Sequence, residues 1–225
     1  MRIQSKPTHV SAARAMAKRE ERRGIQADLQ NGHFERLNGR DDQDLIYAVG
    51  GLPDSTAIFA VATRALEKKT CIPSGVASAL AYKIEEWFPA PDSIETSKKL
   101  YKKASDCGTD MAAAKAGFRL GLINIWQNNC ADAGNLMLKV ENIREASQYH
   151  ARAKYWRHFC AGITGDETGR KDAKESLLRD HPFSFHNLAV NGDNPTLLTR
   201  FLHTESPHIA FRSLIRPEVN PLLRA

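Results

Sequence analysis

Apolar residues along this chain recur at the three-to-four-residue period of a helix and almost nowhere at the two-residue period of a strand. Ile58, Val61, Ala62, Ala65 and Leu66 make one stripe. That predicts a helix from a cap at Asp54 or Ser55 to about residue 69. Leu80, Ile84 and Trp87 share one face of a second helix over about residues 76–87. Gly50-Gly51-Leu52-Pro53, Ile72-Pro73-Ser74-Gly75 and Phe88-Pro89-Ala90-Pro91 punctuate these segments. Asp92 or Ser93 then opens a helix to about residue 106, and Gly108-Thr109-Asp110 turns the chain. The most apolar helix, about residues 111–128, carries Ala114, Phe118, Gly121, Leu122 and Ile125. Further helices are predicted near residues 131–140, 143–162, 167–179, 185–190 and 195–203. Ala, Leu, Lys and Glu dominate them, and these are helix formers.

Helices joined by short turns pack as antiparallel hairpins. Two hairpins look alike. Ala114-Lys115-Ala116-Gly117-Phe118-Arg119, a turn at Asn128-Asn129, then Ala133, Leu136 and Leu138 match Ala153-Lys154-Tyr155-Trp156-Arg157, a turn at Gly165-Asp166, then Ala173, Leu177 and Leu178. Their offset of about 38–40 residues is the size of a helix-pair repeat. The expected fold is therefore all-α, a superhelical α-solenoid of antiparallel, TPR-like hairpins. An irregular helical domain is the alternative.

With 225 residues, 42% hydrophobic and 26% charged, the chain can bury a core without staples. No apolar run approaches the roughly 20 residues of a membrane span. The basic start never yields the apolar block of a secretory signal. The net charge is +6. Part of it is local, because residues 1–40 hold Arg2, Lys6, Arg14, Lys18, Arg19, Arg22, Arg23, Arg36 and Arg40 against Glu20, Glu21, Asp28 and Glu35. Such a helix binds nucleic acid or simply presents a solvated face, and the second is the commoner case. Residues 1–38 are set apart as a basic helical extension of a superhelical domain over residues 39–225.

Chemistry-bearing patterns are few. Cys71, Cys107, Cys130 and Cys160 are too widely spaced for a finger-type zinc site. The histidines, His9, His33, His150, His158, His181, His186, His203 and His208, form no metal motif. Nucleophile-elbow, Walker and dinucleotide-binding glycine patterns are absent. No cofactor and no metal is expected.

The stretch ARAKYWRHFCAGITGDETGRKDAKESLLRDHPFSFHNLAVNGD, residues 151–193, carries Ala153-x-Tyr155-Trp156, Gly165-Asp166, Ala173, Leu177-x-x-Asp180-His181-Pro182 and Ser184-Phe185-His186-x-Leu188-Ala189. In order and spacing it resembles the last repeats of the superhelical domain of soluble lytic transglycosylases. His186 and Asn187 stand where that family commonly has Tyr and Gly, and Cys160 where it has a small residue. The resemblance covers about 45 residues and fades upstream. It implies packing roles for Ala153, Tyr155, Trp156, Ala173, Leu177, Phe185 and Leu188. Gly165 and Asp166 would end one helix and cap the next, and Pro182 would force Asp180-His181 out of helix.

That family cleaves peptidoglycan glycan strands without water, forming a 1,6-anhydromuramoyl product. Its catalytic glutamate begins an E-S motif that a G-L-M-Q block follows. Glu175-Ser176 and Glu205-Ser206 lack that block, so no catalytic residue is assigned. The resemblance implies a non-catalytic scaffold that engages peptidoglycan, with a catalytic transglycosylase domain C-terminal to this chain and absent from it. It also implies a bacterial periplasmic setting, against a cytoplasmic one if Met1 is the true start. A TPR-like protein-interaction module and a nucleic-acid-binding protein remain the alternatives. Counting helix passages puts Cys71 and Cys107 at the same end of the stack, within reach of a disulfide. Such a bridge fits an oxidising compartment.

Overall fold

The computed structural model describes residues 9–88 and 90–192. The chain runs through α1 (His9–Asn31), α2 (Asp42–Gly50), α3 (Ser55–Glu67), α4 (Ser74–Trp87) and α5 (Pro91–Cys107). It continues through α6 (Met111–Trp126), α7 (Cys130–Glu141), α8 (Ser147–Thr164), α9 (Glu167–Asp180) and α10 (Phe185–Gly192). Short 3₁₀ turns cover Phe34–Leu37 and Arg144–Ala146. Among the described residues the fold is all-α, with no strand. The expected helix at residues 195–203, Pro89 and Glu205-Ser206 lie outside the described residues.

Local chemistry sets the helix starts. Asp54 accepts from the Ala57 N–H at 2.8 Å, Asp110 from Ala113 at 2.8 Å, and Asp166 from Gly169 at 2.9 Å. Each capping carboxylate satisfies an orphan donor at the positive end of a helix dipole. Pro91 starts α5, where a missing N–H costs nothing. The α8 helix begins at Ser147 rather than Ile143, because the chain after Val140 first turns through the 3₁₀ segment and buries Ile143. Only His181, and not Asp180, leaves the α9 helix ahead of Pro182. The restriction falls on the one residue before the proline.

Gly165 ends α8 at φ +74° and donates to the Ala161 carbonyl. A Cβ there meets nothing within 4 Å, so a side chain would pay only backbone strain. Gly165→Ala should therefore destabilise by about 1 kcal/mol without changing the fold. Urea unfolding checks this, and a loss above about 3 kcal/mol would mean the site holds more than a helix stop.

Among the described residues the interior has two apolar clusters that meet at α6. Ala116, Leu120 and Ile123 face a cluster drawn from α1 to α5. Ala113, Ala114, Phe118, Leu122 and Ile125 face a second one, with Ala133, Met137, Val140, Tyr155, Trp156 and Leu177. A helix buried on both sides reads as apolar all round, as α6 does in the sequence. Gly117 and Gly121 let α7 come close: a Cβ on Gly117 would lie 3.2 Å from Val140 Cγ2, and one on Gly121 would lie 2.6 Å from Met137 Cε. Ile25, Leu29, Phe34 and Leu37 join the first cluster, so the second half of α1 and the turn after it share the core of α2 to α6. Residues 12–24 are exposed apart from half-buried Arg22. Trp87, expected on the buried face of α4, is 44% exposed at the helix end, with Lys83 Nζ 4.3 Å from its ring centroid.

From α5 to α9 each helix packs mainly on the helix before and the helix after it. Alternate helices also touch: α2 with α4, α4 with α6, α6 with α8, and α8 with α10. Between α2, α4, α6 and α8 the N-terminal ends coincide. Asp42 Oδ1 and the Ala112 Cβ both lie close to Gly75, at the starts of α2, α6 and α4. Gln148 on α8 donates to the Met111 sulfur on α6 at 3.2 Å. These four helices therefore run in the same direction. Cys71 and Cys107 form a disulfide with Cα atoms 5.3 Å apart, tying the chain before α4 to the end of α5.

Candidate functional site

The alternate helices α2, α4, α6 and α8 share a face that carries cations and phenol rings. Two charges interrupt apolar α6, Lys115 and Arg119, one turn apart. Lys115 Nζ lies 5.7 Å from the ring centroid of Tyr82 on α4 and also faces Asp42 on α2. Phe118 packs against Tyr149 on α8, ring centroids 5.3 Å apart. Arg152, Arg119 and Asp42 act electrostatically on Tyr149. Burial raises the Asp42 carboxyl above its ordinary range, Lys115 opposes the shift, and Asp110 and Asp41 add to it. Burial likewise raises the Tyr149 phenol. Half-buried rings beside cations suit a ligand that offers flat faces and negative charge.

Beneath this face is a buried ionic cluster. Glu85 on α4 is 1% exposed. The Tyr101 hydroxyl donates to it at 2.7 Å, and Arg119 Nη2 donates to its other oxygen. Burial and then Glu85 push the Tyr101 phenol well up. Burial works against the Arg119 charge, but Glu85 and Tyr101 outweigh it and leave the guanidinium above its ordinary range. Ser74 donates to Asp110 at 2.5 Å and so pins the start of α4 to the start of α6. The cluster fixes where α4, α5 and α6 sit and therefore how the rings and cations above it are spaced.

A second polar cluster holds the α8–α9 hairpin. Arg157 binds Glu141 at 2.8 Å and Asp172 at 2.7 Å. Lys154 pairs with Asp180, which Arg179 also contacts at 2.9 Å. Arg179 and then Lys154 hold the Asp180 carboxyl down to about 2, from an ordinary 3.8. A depressed carboxylate stabilises the folded state fully above its ordinary pKa, and the contribution fades as pH falls toward the folded value. A carbon-detected NMR titration should therefore place the Asp180 midpoint near 2. A midpoint near 3.8 would mean that the two cations do not hold it in solution. Because the group is partly exposed, added salt should raise the midpoint.

The residues singled out from the sequence fall into three groups. Ala153, Tyr155, Trp156, Ala173 and Leu177 are buried, and Gly165 and Asp166 form the α8–α9 junction. Phe185 and Leu188 do not pack as expected, at 63% and 54% exposed, and Pro182 beyond the end of α9 is exposed as well. The short α10 has one inward face, and Asn187 and Val190 occupy it. Glu175 is exposed and pairs with Lys171 one turn away at 3.8 Å, an ordinary surface pair. Ser176 bonds the Ala173 carbonyl.

His150 and His158 each bond a backbone carbonyl, of Ile143 and Arg170. No group of three or more metal-holding side chains occurs among the described residues. None of their helices is long and apolar enough to cross a membrane. The pattern reading missed Glu85, Tyr101 and Arg119. A signal for Glu85 was present, since it shares a helical face with Ala77, Ala81 and Ile84.

No protein-family model matches the chain, and neither a curated protein nor a solved structure matches it.

Proposed function

We propose that the chain is a superhelical, TPR-like stack of helix hairpins. It serves as a non-catalytic scaffold that engages anionic glycan strands of peptidoglycan, in the manner of the superhelical domain of a soluble lytic transglycosylase-like protein. The observation that carries this reading is the shared face of α2, α4, α6 and α8. There Tyr82, Lys115, Tyr149 and Arg152 repeat an aromatic-plus-cation pattern on successive layers. Sugar rings offer flat apolar faces to phenols, and the carboxylates of peptidoglycan offer charge to Lys and Arg.

Three further features support it. Even-numbered helices begin at Asp42, Ser74, Met111, Ser147 and Phe185, a spacing of roughly 32–38 residues, which suits a helix-pair repeat. Such a stack creates an extended surface in which each unit contacts only its neighbours. The Cys71–Cys107 disulfide fits an oxidising compartment. On α1, Lys18 and Arg22 are drawn to Asp44 at 3.4 and 3.1 Å, which leaves that helix a weaker basic footprint than its sequence alone offers.

Co-sedimentation with purified peptidoglycan sacculi tests the reading, with duplex DNA as the competing ligand. Saturable retention by sacculi is expected. Retention by DNA alone, with a steep salt dependence, would move the function to the basic helix. Retention by neither would leave a protein-interaction module.

A further inference from the structure

Between α7 and α8 lies an open cleft of about 310 Å³, lined by Cys130, Gly134, Arg157, Cys160, Thr164 and Asp166. Two reduced cysteines share it, one from each helix. Cys130 is the first residue of α7, directly after the Asn129 cap. Gly134 follows one turn later, and a Cβ placed on it would lie 3.9 Å from the Cβ of Cys160. That contact places Cys160 against the helical face of α7 that also bears Cys130. Cys130 and Cys160 are buried, at 4% and 1% exposed, and each thiol alters the ionisation of the other.

The two environments differ in a way that assigns roles. Cys130 sits among the open N–H groups of a helix N-terminus, which favour a thiolate. The Cys160 thiol also favours it, lowering the Cys130 pKa against the effect of burial. Cys160 lies within α8, where Cys130 and burial both hold it in the protonated form. An attacking thiol needs the first environment, and a resolving thiol needs to wait in the second.

We propose that Cys130 and Cys160 form a dithiol exchange site for a small soluble disulfide that enters the α7–α8 cleft. The Cys130 thiolate attacks one sulfur of the disulfide. A Cys130–ligand mixed disulfide forms and one ligand thiolate leaves, taking the proton that Cys130 gave up. Cys160, losing its proton as it attacks, then forms a bond to the Cys130 sulfur and displaces the second ligand thiolate, which takes that proton. The protein loses two electrons and two protons, and the small disulfide becomes two thiols. The product is a bridge from the start of α7 to a point one turn before the end of α8, separate from the Cys71–Cys107 bond.

The test treats the full chain, Cys71–Cys107 intact, with oxidised glutathione under native, oxygen-free conditions, followed by peptide mapping. Wild type should lose two hydrogens and yield a Cys130–Cys160 cross-linked peptide. Cys160→Ser should accumulate glutathione on Cys130. Cys130→Ser should label Cys160 at least about tenfold more slowly. Wild type that keeps both thiols, with alkylation only in denaturant, would overturn the proposal. So would equal labelling of the two variants. Should either variant fail to fold, the wild-type map alone decides.

Discussion

Replacing Arg119 with alanine should lower the unfolding free energy by about 3–5 kcal/mol. The size follows from what remains behind. Glu85 is 1% exposed, and its carboxylate would keep the Tyr101 hydroxyl at 2.7 Å but lose the guanidinium across from it. A buried charge stripped of its partner bears most of its desolvation cost. Exposed pairs such as Lys171–Glu175 should cost well under 1 kcal/mol when broken. The double variant Glu85→Leu with Arg119→Met should recover a large part of the single-variant loss, since no lone charge remains. Urea unfolding followed by circular dichroism measures all of these. An Arg119→Ala loss below about 1 kcal/mol would mean that the buried pair is not formed in solution.

Removing the Cys71–Cys107 bridge with paired serines should cost about 4 kcal/mol. The two cysteines are 36 residues apart, and the loop they close contains all of α4 and most of α5. Opening that loop returns conformational freedom to the unfolded chain, so the effect grows with the logarithm of its length. The serine pair should match wild type unfolded in the presence of reductant, which isolates the bond from any loss of packing. A difference below about 1 kcal/mol between oxidised and reduced wild type would mean the bridge is absent or strained enough to cancel its benefit.

The helical character and most helix ends were legible in the sequence because local chemistry decides them. Asp54, Asp110 and Asp166 are capping carboxylates written next to their helices, and Gly165 is a stop that needs a left-handed backbone. Stripes such as Ile58, Val61, Ala62 and Ala65 marked buried faces directly. Less was legible where tertiary contacts decide. The resemblance implied packing roles for Phe185 and Leu188, yet a helix as short as α10 buries only one narrow face. Trp87 fell on the stripe of α4 but lies past the end of the surface that covers it.

The Glu85–Tyr101–Arg119 cluster joins three helices, and one-dimensional periodicity does not pair residues across them. Charges placed on an apolar stripe, Glu85 on α4 and Arg119 on α6, were the visible trace. Cys71 and Cys107 could be related by counting helix passages. Cys130 and Cys160 could not, since their meeting depends on how α7 packs on α8.

The proposed engagement of anionic glycan rests on the shared face of α2, α4, α6 and α8. Sacculus co-sedimentation of three proteins tests it: wild type, Lys115→Glu with Arg152→Glu on that face, and Lys171→Glu with Lys174→Glu on the exposed side of α9. Both variants change the net charge equally. Saturable binding is expected of wild type and of the α9 variant, and binding at least about tenfold weaker of the Lys115 and Arg152 variant. Equal binding by all three, or none by wild type, would contradict it.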